Sequence, residues 1–115
     1  MEVHNPKDIK SIEVFPGIKG KILHCSKKIM LLWVVIPKHS VVPRHRHSNE
    51  QMGICIKGKS DFVGDDCIKE ISEGMTYSIK SNEWHEVRNT SSEDAVFLDI
   101  FSPPRKDYLE KLNKN

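Results

Sequence analysis

Residues 39–58, HSVVPRHRHSNEQMGICIKG, contain the pattern that decides the fold of this chain. His45, His47 and Gln51 have the same parity, so an unbroken extended strand directs all three side chains to one face. A third imidazole, His85, is available farther along the chain. Three imidazoles and an amide oxygen are a suitable ligand set for a divalent transition metal. The pattern therefore predicts a metal site held by these four side chains.

Length and composition indicate one globular domain, spanning residues 1–115, with 37% hydrophobic and 30% charged residues. The formal net charge is only +2, so bulk electrostatics gives no indication of a nucleic-acid partner. The longest apolar run, residues 29–36, is too short to cross a bilayer, and no secretory signal is visible at the N-terminus. Three cysteines without a C-x-x-C pair predict reduced, mostly buried thiols in a cytoplasmic protein.

Short β-like runs separated by turn residues favour an all-β sandwich or barrel. The predicted strands are Ile12–Phe15, Lys21–Cys25, Met30–Ile36, Val41–Arg44, Gln51–Lys57, Ser60–Val63, Cys67–Ile71, Met75–Ile79, His85–Arg88 and Ala95–Phe101. Gly64-Asp65-Asp66 lies between two of these runs and predicts a tight hairpin. A helix is predicted only over Lys106–Asn113, where the apolar side chains fall on one stripe.

Two spaced motifs carry a resemblance to a known family. The first has the form G-x5-H-x-H-x(3,4)-E-x6-G, and here it runs through His39, His45, His47, Gln51 and Gly58. The second has the form G-x5-P-x-G-x2-H-x3-N, and here it runs through Gly74, Lys80, Asn82, His85 and Asn89. With these motifs the chain resembles the cupins, a family of small β-barrels. The resemblance implies an all-β, single-domain, jelly-roll-like barrel with a short C-terminal helix or tail.

Four positions depart from the cupin motifs, namely His39 for Gly, Gln51 for Glu, Lys80 for Pro and Asn82 for Gly. Three of them affect turns, and Asn82 can still adopt the left-handed conformation that glycine supplies there. Only Gln51 affects the chemistry. Glu50 is a rival carboxylate, but its parity directs it to the opposite strand face unless a bulge intervenes. The apolar residues that share its parity are interpreted as core or interface: Met52, Ile54 and Ile56.

The Gln51 amide has an electrostatic consequence. Three neutral imidazoles and a neutral amide leave the full +2 charge of the metal uncompensated, so the site should favour anionic ligands such as carboxylates or enolates. An arginine could add a fork for a carboxylate. The candidate arginines are Arg44, Arg46, Arg88 and Arg105. The ligand types leave the metal open among zinc, iron, nickel, copper and manganese.

Several other residues have two readings. Phe97, Asp99 and Phe101 alternate, so Asp99 either lies inside the barrel near the metal, suited to proton transfer, or faces solvent and pairs with a lysine. Trp33 shares its parity with Leu31 and Val35, and an inward position would make it a stacking wall or a core residue. The other histidines are interpreted as surface or hydrogen-bonded residues: His4, His24 and His39.

The segment LDIFSPPRKDY, residues 98–108, closely resembles the end of the pectin-degradation-protein cupins, a subfamily that also has Gln as the fourth metal ligand. Those cupins open the ring of 4,5-unsaturated monouronates from pectin and alginate and give linear 5-keto-4-deoxyuronates. The resemblance implies that Asp99 is the acid/base group and that Phe101 shapes the sugar pocket. It also implies that Arg105 helps to hold the substrate or the tail, while the predicted metal ligands keep their role.

Two other classes stay open. Cupins with three histidines often bind iron and oxygen, so a metal-dependent dioxygenase is one alternative. The other is a non-catalytic module that binds a small acid or sugar. In each case the expected partner is a small anionic sugar or another small acid, with no nucleic acid and no membrane. A homodimer is expected from the family and from the need to cover sheet edges and apolar strand faces.

Overall fold

Two antiparallel sheets form the molecule, and the computed structural model describes them within residues 1–113. A 3-10 helix, Pro6–Asp8, precedes the strands. The strands are β1 Ile12–Phe15, β2 Ile18–Cys25, β3 Met30–Ile36, β4 Val41–His45, β5 Glu50–Lys57, β6 Lys59–Val63, β7 Ile68–Ser72, β8 Thr76–Ile79, β9 His85–Arg88 and β10 Ala95–Ser102, followed by helix α1, Lys106–Lys111. The larger sheet has the order β1-β2-β3-β10-β5-β8 and the smaller one β4-β9-β6-β7. The all-β, jelly-roll-like prediction is confirmed.

The core lies between the sheets because the strands alternate apolar side chains toward one another. In β3, Met30, Leu32, Val34 and Ile36 are buried, and the neighbouring β10 contributes three buried apolar side chains from positions in register with them. The smaller sheet adds apolar side chains from three of its strands: Val42, Ile71 and Val87. Alternation on strands of this length is the signal from which the sequence predicted most of these elements.

Trp33 is on the outer face of β3, so its proposed inward position is wrong. The buried residues of this strand are those of the other parity, and Leu31 and Val35 lie outside with Trp33. Met52 and Ile56 are 54% and 37% exposed, so their interpretation as core residues is wrong as well. Continuous apolar runs such as MLLWVVI do not reveal which parity faces the core, because both faces read as hydrophobic.

The cysteine prediction holds for one residue out of three. Cys55 is buried, whereas Cys25 and Cys67 are exposed. Cys25 is the last residue of β2, and Cys67 lies in the β6–β7 turn. Strand ends and turns leave the core, so a small apolar side chain at such a position remains in contact with solvent.

The cupin glycine positions occupied by His39 and Asn82 have φ angles of 64° and 62°. Both residues therefore adopt the left-handed conformation that the motif needs, as predicted for Asn82. The backbone of His39 is bonded to that of Asn89, because the His39 N–H donates to the Asn89 carbonyl over 2.8 Å. The buried Asn89 side chain also donates to Ile36 O and Glu93 O. Together with the His39–Asn89 bond, these contacts fix the start of the first motif beside the end of the second.

The C-terminal helix and the β6–β7 hairpin form where the sequence predicts them. Helix α1 ends at Lys111, two residues before the predicted end, and it buries Tyr108. Leu112 is 49% exposed, so it lies outside the packed stripe. Within residues 1–113, no helix is long and apolar enough to cross a membrane.

Candidate metal centre

Three imidazoles meet at one end of the barrel. One ring nitrogen from each of His45, His47 and His85 lies within 4.8 Å of the others. His45 is the last residue of β4, and it pairs in register with His85, the first residue of β9. His47 follows in the turn after β4. The structure thus brings together the three histidines that the sequence selected.

The route by which they meet differs from the prediction. The sequence argument used one unbroken strand through residues 45–51, but β4 ends at His45 and β5 begins at Glu50 in the other sheet. The turn between β4 and β5 places His47 next to His45 and His85. Gln51 then approaches from the larger sheet, where it is 8% exposed. Both sheets therefore contribute to the site.

Backbone carbonyls fix the tautomer of each ring. The Nδ1 atoms of His45, His47 and His85 lie 2.8, 3.0 and 2.8 Å from the carbonyl oxygens of Pro43, Asn49 and Glu83, respectively. A carbonyl only accepts, so each Nδ1 carries the proton and each Nε2 presents a lone pair. Outer partners of this type orient the imidazole ligands in metal sites.

The rings are neutral at pH 7. Burial is the largest cause that lowers the pKa of His45 and of His47 to about 4, and burial lowers the pKa of His85 too. His47 Nε2 lies 3.1 Å from Gln51 Oε1, although its single proton is already donated from Nδ1. Two lone pairs face each other across this gap, and a cation between them would convert the repulsion into coordination. The donor set therefore fits a divalent transition metal.

Asp99 lies inside the barrel next to this centre. It is 7% exposed, between the buried Phe97 and Phe101, so the solvent-facing alternative is wrong. Burial raises the pKa of Asp99 to about 6, and hydrogen bonds from Tyr77 and Gln51 oppose the rise. The Gln51 amide presents its oxygen to the histidines, 3.1 Å from His47 Nε2.

Tyr77 is a functional candidate that the sequence argument missed. Its hydroxyl donates to Asp99 Oδ1 across the sheet. The register explains the reach, since Gly53 of β5 pairs with Tyr77 on one side and with Asp99 on the other. A Cβ at Gly53 would overlap the Tyr77 hydroxyl and lie 2.7 Å from the Leu98 carbonyl oxygen. The absence of a side chain at Gly53 therefore leaves room for the Tyr77 hydroxyl to reach Asp99. The sequence does not reveal which strands pair, so a tyrosine and a glycine alone do not predict this contact.

Arg105 joins the C-terminal tail to the pocket. It is 7% exposed, and its guanidinium donates to Asp107 over 3.1 and 2.9 Å. The guanidinium carbon lies 5.1 Å from the Phe101 ring centre and 4.1 Å from that of Tyr108. Phe101 in turn makes an edge contact with His47, with ring centres 5.7 Å apart.

One pocket is lined by side chains of the candidate metal centre and by their neighbours. Its polar lining is His45, Gln51, His85, Asp99, Tyr77 and Arg105. Apolar side chains of both sheets supply the remaining wall. The other candidate arginines are engaged elsewhere: Arg44 and Arg46 stack on Trp84 at 4.7 Å, and Arg88 pairs with Glu86. A cationic metal, a buried carboxyl and a buried guanidinium would thus face one small cavity.

Comparisons with known proteins agree with this fold. The family described as "Cupin domain" matches residues 31–101, and the chain belongs to the cupin family. Within that family it is similar to the pectin degradation protein KdgF of Dickeya dadantii (strain 3937), with 31% identity over 98 residues, 84% of this chain and 88% of that protein. The structure of KdgF from Halomonas sp. has a TM-score of 0.84 at 22% identity and covers 92% of this chain and 98% of that one.

A second curated relative covers less. The H2HPP isomerase of Bacillus subtilis is 38% identical over 64 residues, 56% of this chain. The match covers only 27% of that relative, so the chain spans about a quarter of its length.

Proposed function

We propose that the chain is a metal-dependent enzyme that opens the ring of 4,5-unsaturated monouronates and gives linear 5-keto-4-deoxyuronates. The observation that carries the proposal is the buried Asp99, which accepts a hydrogen bond from Tyr77 and lines one pocket with Gln51, His45 and His85. An acid/base group beside an electrophilic centre suits this isomerisation. The named relative, pectin degradation protein KdgF, supports the same reaction.

In this proposal His45, His47, Gln51 and His85 hold one divalent transition metal. When bound, the ion supplies Lewis-acid polarisation of the sugar oxygens. The neutral amide of Gln51 leaves the charge of the ion uncompensated, so the pocket attracts the uronate carboxylate. Arg105, which lines the same pocket, adds positive charge there.

Asp99 transfers the proton that the reaction moves. It accepts the proton of the anomeric hydroxyl while the bond from C1 to the ring oxygen breaks, which leaves an aldehyde at C1 and an enolate at C5. It then returns the proton to C4 as the enolate becomes a ketone. A pKa of about 6 allows the group to accept and donate near neutral pH. Tyr77 positions the carboxyl, and Phe101 shapes the apolar side of the sugar pocket.

The test follows the ultraviolet absorbance of an unsaturated monouronate mixed with purified, metal-loaded protein. We expect absorbance loss well above the spontaneous rate, and a loss of at least about 100-fold in rate for Asp99→Asn, which keeps the size of the side chain. No acceleration, or equal rates for Asp99→Asn and wild type, would overturn the proposal. Full activity under strict anaerobiosis separates this reaction from a dioxygenase.

A further inference from the structure

We propose a second divalent transition-metal site on the outside of the barrel, held by Glu2, His4 and His24. One ligand atom from each residue lies within 4.8 Å of the others. His4 Nε2 is 3.7 Å from Glu2 Oε2, and the rings of His4 and His24 have centroids 4.8 Å apart. The proposal is independent of the function proposed for the barrel.

A strand irregularity directs His24 toward this position. The β2–β3 register shifts between Ile22 and His24, which indicates a β-bulge. Leu23 is buried, so His24 beside it lies on the outer face. Bulges often re-aim a side chain at functional positions. The interpretation of His24 as a surface or hydrogen-bonded residue did not include its place in this cluster.

One contact joins the N-terminal segment to β2, and a second shapes the segment itself. Lys21 Nζ donates to the Pro6 carbonyl oxygen over 2.7 Å, which ties the segment to the strand that carries His24. The Asn5 side chain accepts from the Lys7 N–H over 3.0 Å and caps the 3-10 helix. Because residues 5–7 are held by these bonds, an ion would have to order only the short stretch before them.

The donor set defines the class of ion. Two imidazoles and one carboxylate suit zinc, nickel and copper, and the carboxylate compensates one unit of the ion's charge. The side chains of His4 and Glu2 are 40% and 81% exposed, so water can complete the coordination. Copper(II) should bind more tightly than nickel(II) or zinc(II), in the usual order for such ligands. Bound metal would fasten residues 2–4 to β2.

Calorimetric titration of the full chain with nickel(II), without any added histidine tag, tests the site. We expect two sites in wild type, loss of one in His24→Ala, and loss of the other in His47→Ala. His39→Asn is the matched control, since it removes an exposed imidazole outside both clusters and asparagine tolerates the φ of 64°. It should retain both sites.

Hydrogen exchange supplies an independent readout. In His47→Ala, nickel should slow amide exchange in residues 2–5, and the effect should disappear when His24→Ala is added. A single site in wild type that only His47→Ala removes, or unchanged exchange at the N-terminus, would overturn the proposal. Binding to the second site only at millimolar metal would also overturn it.

Discussion

At the scale of single residues, Gln51 connects the two halves of the candidate site. Its oxygen lies 3.1 Å from His47 Nε2, and its amide favours the ionised form of Asp99 and so opposes the rise in the pKa of that carboxyl. A glutamate at this position could coordinate the metal, but it could not donate to the carboxyl. The sequence predicted Gln51 as a ligand from its spacing. Its second contact depends on the β5–β10 pairing, which the sequence does not reveal.

Gln51→Glu should therefore separate metal binding from substrate binding. The added negative charge should strengthen metal binding, while the Michaelis constant for an unsaturated uronate should rise on the order of tenfold because the net charge of the centre falls. Steady-state kinetics with calorimetric metal titration measures both. Glu50→Gln, at an exposed neighbour, is the control. An unchanged Michaelis constant would contradict the electrostatic argument.

The stability of the metal-free protein should depend on pH. His45 and His47 have a pKa of about 4 when folded and about 6.5 when unfolded, so the unfolded chain binds more protons between these values. The stability that these two neutral imidazoles give to the folded protein is complete above pH 6.5, and it is lost as the pH falls to about 4. Asp99 has the opposite effect, because burial raises its pKa from about 3.8 to about 6. The protonated carboxyl therefore stabilises the folded protein below pH 3.8, and this stability is lost as the pH rises through 6.

Two imidazoles outweigh one carboxyl, so the free energy of unfolding should fall between pH 6.5 and 4. Asp99→Asn removes the opposing contribution and should make the fall steeper. Urea unfolding in the presence of a chelator measures both slopes. A free energy of unfolding that is flat or rises on acidification, or a shallower slope in Asp99→Asn, would contradict this assignment.

At the scale of secondary-structure elements, the strands could be predicted because turn residues separate short β-like runs. The bounds of β1, β3 and β9 agree with the prediction, and β2 begins three residues earlier than predicted. The predicted strands Val41–Arg44 and Gln51–Lys57 include the break between β4 and β5, but the sequence does not show that the chain passes there from one sheet to the other. The row Tyr77–Gly53–Asp99 was missed for a related reason, because it depends on which strands are neighbours.

This row gives a prediction about element packing. Tyr77→Phe removes the donor to Asp99, and Gly53→Ala pushes the ring away from it, so each should lower kcat by about 10–100-fold with little change in metal content. Gly53→Ala should also cost about 1–3 kcal/mol of stability. Ser78→Ala, at an exposed neighbour in β8, is the control. Wild-type kcat in both variants would remove Tyr77 from the mechanism.

At the scale of the whole molecule, the outer face of the larger sheet is apolar over three adjacent strands. β3, β10 and β5 present outward side chains that include Leu31, Trp33, Val35, Leu98, Ile100, Met52 and Ile54. Met52 and Ile100 are 54% and 37% exposed. Such a patch on a small protein is typical of an interaction surface. The sequence predicted this surface only in part, because it assigned Trp33 to the inside.

We expect this face to form a homodimer interface. Met52→Lys places a charge in its centre and should shift the protein from dimer to monomer by light scattering at micromolar concentration. The matched control is Ile68→Lys, because Ile68 is 65% exposed on the smaller sheet. It should leave the dimer intact. A wild-type monomer, or dissociation by Ile68→Lys alone, would contradict the assignment.

The central claim is that three histidines and Gln51 hold a divalent metal in the barrel. Elemental analysis tests it most directly with the His24→Ala protein, purified without a histidine tag, because the proposed outer site is then absent. The account predicts one transition-metal ion per chain in this variant and none when His47→Ala is added. Equal metal content in the two proteins, or none in either after incubation with zinc, nickel, iron or manganese, would contradict it.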